Sequence, residues 1–279
     1  MMPGLDLLVV AAYLAGTTLF GCSFYFRRGA GDARTFMAGG GKVPGWALAL
    51  SVFATYVSSI SFLALPAKAY LANWNVLVLS FSIPFAAAVA AVWFVPFYRR
   101  TTSVSAYSFL EARFGFWSRA YASGCFLVMQ SARSGMILFL LALLLKSLIG
   151  CPIPGVILVV GVSTMAYSMM GGLQAVVWTD AVQAVVLIGG ALLCLAVLGC
   201  TLPDGLAAGV KAAFDAGKLS PGGLSLADWG TETFWVTFSY GVFLNLQNFG
   251  VDQCYTQRYV AARSEREAVR AMFSGAMLY

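Results

Sequence analysis

Arg133 lies 14 residues after Arg119 and 13 before Lys146, in the middle of the apolar stretch 120–145. At ~1.5 Å per helical residue it is ~20 Å from either charged end. A guanidinium cannot shed its proton, and its fork of donors matches a carboxylate in bidentate geometry. Two readings stand. Arg133 receives an anionic substrate, most simply a carboxylate, or it is a structural device paired with Asp180 or with helix carbonyls.

Asp180 lies about one turn inside the apolar stretch 176–202. A carboxylate there can ligate Na⁺, carry a proton, pair with a base or bond to nearby loop amides. Hydroxyls crowd the stretch 44–66, where Ser51, Thr55, Ser58 and Ser59 stand with Tyr56 and Ser61. Such groups bond to carbonyls one turn back or bridge helices, unless the backbone is irregular and lines a cavity. Pro66 predicts irregularity at the far end of this stretch. A fourth feature runs from Asn245 to Gln253, where amides, Gly250 and Asp252 interrupt an apolar pattern. Asn245 and Asn248 read as lining a site. Asp252 and Gln253, beside Arg258, read as the wet end of an ordinary helix.

The elements that must position these residues are membrane helices. Hydrophobic residues make up 60% of the 279, and Asp, Glu, Lys and Arg only 10%. That charge content is far below the ~25% of a soluble domain, which excludes soluble enzymes, nucleic-acid binders and disordered chains. There is no histidine, so imidazole chemistry is excluded. The six cysteines show no C-x-x-C spacing, which leaves no enzymatic metal centre or disulfide framework to expect. Apolar stretches fall at 5–26, 44–66, 74–98, 120–145, 154–170, 176–202 and 233–250, and an eighth begins near Ala268. Backbone groups in lipid need internal partners, so these spans are helices in a bilayer.

Twelve of the seventeen basic residues fall on one side of this alternation and four on the other, with Arg133 left over. The positive-inside bias then predicts a multi-pass protein of the cell (inner) membrane with its N-terminus outside. Gly171-Gly172 forms a cytoplasmic turn, and 203–231 is the long extracellular loop.

These residues resemble the sodium:solute symporter family. The resemblance runs from Gly39-Gly40-Gly41-Lys42-Val43-Pro44-Gly45-Trp46 to Gln257-Arg258-Tyr259, and is densest over 51–66 and 171–180. Within the family the chain is most similar to bacterial sodium/sialic acid symporters, through Pro66-Ala-Lys-Ala-Tyr70, Ser105-Ala-Tyr107, Leu110-Glu-Ala-Arg-Phe114 and Arg133. The resemblance implies an all-α, polytopic membrane protein of the inverted-repeat transporter fold, with five helices in each repeat. Its parts are a leading helix over 5–26, a first repeat over 44–202, the loop 203–231 and the start of a second repeat over 233–279.

It also implies roles. Sodium is bound by the Ala54 and Val57 carbonyls, with Asp180 at a second sodium position. Arg133 receives the substrate carboxylate, Ser58 and Ser61 face it, and Asn245, Asn248 and Phe249 line the cavity. The chain departs from the sialic acid branch at Tyr56, where that branch has a small hydroxyl residue, and at Ser80, where it has glutamine. A pocket narrowed by tyrosine suits a smaller carboxylate such as a monocarboxylate, and Ile60 and Ser61 argue against a neutral hexose.

The expected activity is sodium-coupled uptake of an organic anion across the lipid bilayer, with Na⁺ as coupling ion and no enzymatic cofactor. Family members continue well beyond the start of the second repeat, so the chain reads as an N-terminal fragment whose activity alone is open. The rival from another class is an intramembrane aspartyl protease using Asp180 and Asp252, although no G-x-G-D run is present.

Overall fold

The computed structural model describes residues 3–27, 33–41, 43–58, 60–100, 105–202, 204–226 and 232–279. Expectations involving Arg28, Lys42, Ser59, Pro203 and residues 227–231 fall outside these.

The leading span is α1 (Pro3–Arg27). The second span is broken. Helix α2 (Gly45–Tyr56) ends at Val57, whose backbone is extended, and the chain resumes in a π turn, Ile60–Ala64, and α3 (Leu65–Leu71). The two halves meet at 64°. The sequence places the irregularity at Pro66, but Pro66 sits in the first turn of α3, where a missing N–H costs little. The break lies nine residues earlier, at Val57.

Helix α4 (Trp74–Arg100) and α5 (Phe116–Ile149) follow. Helix α6 (Ile153–Thr201) holds 49 residues, which as a straight rod would reach about 74 Å, more than twice the ~30 Å of a hydrocarbon core. It is not straight. Gly172 has φ 64° and ψ −165°, a region open only to glycine. The first leg follows α1: residues 156–160 share a groove with Leu7–Leu14, and Tyr167 packs on Gly21. The second leg follows α2, with Trp178 against Trp46 (rings 5.4 Å apart) and Leu187 lining the same cleft as Val57. The chain therefore folds back at Gly171–Gly172, as two spans joined without a loop.

Across the long loop lies α7 (Gly205–Asp215). Asn75 fastens this region to the bundle. Its Nδ2 donates to Pro221 O at 2.8 Å, and its Oδ1 accepts from Thr237 Oγ1 at 2.7 Å.

The last elements are α8 (Phe234–Gly250), α9 (Gln253–Ala261) and α10 (Glu265–Met277). Helix α8 is unbroken through Asn245 and Asn248, and the interruption comes after it, at Val251–Asp252. Ser264 accepts from Glu267 N at 3.2 Å, the N-terminal half of a capping box. That cap starts α10 ahead of the expected Ala268 and brings Arg266 and Arg270 into the helix. Helix α10 packs tightly on α2, where Gly275 sits so close to Ala49 O and Val52 that a methyl group would collide. Small residues permit this approach where lipid supplies no hydrophobic drive. Trp117, Leu127, Val128, Met136 and Phe139 of α5 lie exposed, the pattern of a helix facing lipid.

Candidate functional site

At the break in the second span, a continuous helix would bond Ser58 N to Ala54 O. Instead Ser58 N points to Ser61 Oγ at 3.5 Å. Ala54 stands in the last turn of α2, where carbonyls lose their helical partners. Carbonyls freed in this way can coordinate a cation.

Asp180 is held from two sides. Its Oδ2 accepts from Ser51 Oγ at 2.6 Å and from Arg258 Nη2 at 2.7 Å. Arg258 Nε donates to Ser51 Oγ at 2.7 Å, and its Nη1 donates to Cys254 O. The charge count assigns Arg258 to a watery loop, and the structure corrects this: the residue is 7% exposed. An arginine this deep is stable only when paired and hydrogen-bonded, and its partner is 78 positions away in sequence.

Arg133 is not paired with Asp180. Its Nη1 lies 3.8 Å from Asp252 Oδ2, and the arginine side chain remains 36% exposed. Asp252 is not at a wet helix end either. Its side chain is 1% exposed, and Oδ1 accepts from Cys254 N at 2.8 Å, capping α9. The cap requirement, a carboxylate directly before a new helix, is the local signal that could have identified it. Gln253 Oε1 accepts from Ala106 N at 2.8 Å, which brings the Ser105-Ala-Tyr107 segment to the same place. Asp180 and Asp252 each pair with a different arginine, which is not the shared-proton arrangement an aspartyl protease needs.

Tyr56 Oη donates to Asn245 Oδ1 at 2.6 Å, and Asn245 Nδ2 donates to Ser82 Oγ at 2.9 Å. The Tyr56 ring stacks on Phe249 at 6.0 Å, and Phe249 meets Tyr255 edge-on at 5.4 Å. Asn245 and Phe249 are wholly buried, so they brace this junction, whereas Asn248 is half-buried. Ser61 and Ser80 lie apart, in a mainly apolar cleft of about 490 Å³ with Phe53, Val57, Trp74 and Tyr279. The expected site residues thus fall in four groups: the broken span with its cleft, the Asp180–Ser51–Arg258 cluster, the Tyr56–Asn245 brace and the Arg133–Asp252 pair. Sequence reasoning passed over Gln130 and Tyr255. Gln130 lies three residues before Arg133 and so on the same helix face, and Tyr255 follows Asp252.

Long apolar helices with one broken span and two arginine–carboxylate pairs are the features of a multi-pass membrane protein whose irregular backbone lines a cavity. The model of the sodium:solute symporter family matches residues 36–279. The sodium/sialic acid symporter SiaT of Proteus mirabilis is 33% identical over 270 residues, covering 97% of this chain and 54% of that one. The human sodium-coupled monocarboxylate transporter 1 is 26% identical over 269 residues, covering 96% and 44%. A solved structure, the substrate-bound outward-open state of a Na⁺-coupled sialic acid symporter, superposes with a TM-score of 0.90 at 32% identity, covering 98% of this chain and 56% of that one. The chain belongs to the sodium:solute symporter family. It spans about half the length of the curated relatives it matches.

Proposed function

We propose that the whole protein is a symporter that couples inward Na⁺ movement to import of an organic anion, a carboxylate such as sialic acid or a smaller monocarboxylate. The observation that carries this reading is Arg133: a permanent cation within a span, only partly covered, 3.8 Å from the nearest carboxylate oxygen of Asp252. Similarity to sodium/sialic acid symporters and to a sodium-coupled monocarboxylate transporter supports both the ion and the substrate class. Within this reading Arg133 receives the carboxylate, and Ser58, Ser61, Tyr56, Ser80, Asn245, Asn248 and Phe249 shape or brace the cavity. Sodium binds at the Ala54 and Val57 carbonyls. A second sodium approaches Asp180 through Oδ1, because Ser51 and Arg258 both bond to Oδ2.

The N-terminus lies outside the cell membrane, with 5–26 as leading helix, 44–202 as first repeat, 203–231 as extracellular loop and 233–279 opening the second repeat. One charge crossing ~100 mV releases about 2.3 kcal/mol, and the sodium gradient adds to it. Coupling follows if ion and substrate favour the same conformation. Proteoliposomes holding the whole protein test this: an inward sodium gradient should drive accumulation of sialic acid or of a small monocarboxylate. Uptake indifferent to sodium overturns the reading.

A further inference from the structure

The two interior arginine–carboxylate pairs differ in kind. Arg258–Asp180 is closed, at 2.7 Å, with Ser51 bonded to both partners. Arg133–Asp252 is open, at 3.8 Å, beyond hydrogen-bond length. Polar atoms around the open pair lack partners. Gln130 Oε1 and Tyr255 Oη are buried without a hydrogen bond, and Gln130 Nε2 reaches Cys254 Sγ at 3.8 Å. Buried polar groups are normally satisfied, so these two atoms leave hydrogen-bonding capacity that a water, an ion or a ligand at the pair would fill.

We infer that Asp252 is the internal counter-anion of Arg133, and that by neutralising this arginine it makes substrate binding depend on a co-bound cation. The inference rests on the reading of Arg133 as carboxylate receptor. With Asp252 ionised the pair is neutral, and a second carboxylate on the same guanidinium leaves one uncompensated negative charge beside Asp252, whose side chain is 1% exposed. That is costly at low dielectric. A sodium ion entering with the substrate restores neutrality. With the charge of residue 252 removed, the substrate carboxylate alone balances Arg133, and the ion is no longer required.

Asp252→Asn and Asp252→Ser both keep a helix N-cap while removing the charge, so either one that assembles suffices. Binding of labelled sialic acid and lactate to the whole protein is measured in sodium and in choline. The wild type should lose affinity by about tenfold or more in choline, inside the usual range for coupled sites. The neutral variants should keep most of theirs. A neutral variant with wild-type sodium dependence overturns the inference. Arg133→Ala is run beside them: wild-type carboxylate binding by that variant means the receptor reading has failed, whereas its loss leaves the counter-anion judged on the residue 252 variants alone.

Discussion

Arg258 and Asp180 meet at 2.7 Å, with Ser51 bonded to both. The contact ties α9 to the second leg of α6 and to α2, elements separated by most of the chain.

Replacing Arg258 by alanine leaves the Asp180 charge without a cation and Ser51 without one partner. Losing one member of a buried pair costs about 3–5 kcal/mol. The detergent-solubilised variant should unfold at a clearly lower temperature than the wild type, measured by intrinsic fluorescence. Arg258→Lys should recover part of the loss, because it returns the charge without the fork.

Tyr56→Phe removes the donor to Asn245 Oδ1, in a residue with no exposed surface. An unsatisfied buried acceptor costs about 1–3 kcal/mol. The thermal midpoint should fall. An unchanged midpoint means that water replaces the hydroxyl and that the brace is wet.

At Gly172 any side chain is strained. Its φ and ψ lie in the glycine-only region, at a cost of about 1–3 kcal/mol for other residues, and a methyl group would also strike Phe36. Gly172→Ala should reduce the yield of folded protein in the membrane, scored by fluorescence size-exclusion. Gly189→Ala is the control, since nothing lies within 4 Å of a methyl group there.

Arg133→Ala should abolish carboxylate uptake while expression stays intact, because the side chain is partly exposed and its ion pair with Asp252 is open at 3.8 Å. Normal uptake by this variant removes Arg133 from the site.

Helix positions were legible because the bilayer demands long apolar runs: six of the seven expected stretches fall on helical segments, and the second, 44–66, is helical on either side of Val57–Ser58. The break in the second span was less legible. Proline advertises irregularity, but Pro66 is harmless at a helix start, while the chain opens at Val57–Ser58, where hydroxyls compete for backbone groups. The α8–α9 junction was misread for another reason. Charge counting treats every arginine as solvated, and only tertiary contact shows that Arg258 and Asp252 turn inward to partners far along the chain. Arg133 stood out because its position within a span was anomalous in sequence alone.

The turn at Gly172 has a mechanical consequence. With no loop between them and Phe36 packed against the corner, the two legs of α6 form a bracket. One arm grips the leading helix and the other grips α2. Rotation of α3 relative to this frame would be taken up at the extended backbone of Val57, which sets the proposed ion-binding carbonyls of Ala54 and Val57 beside the hinge.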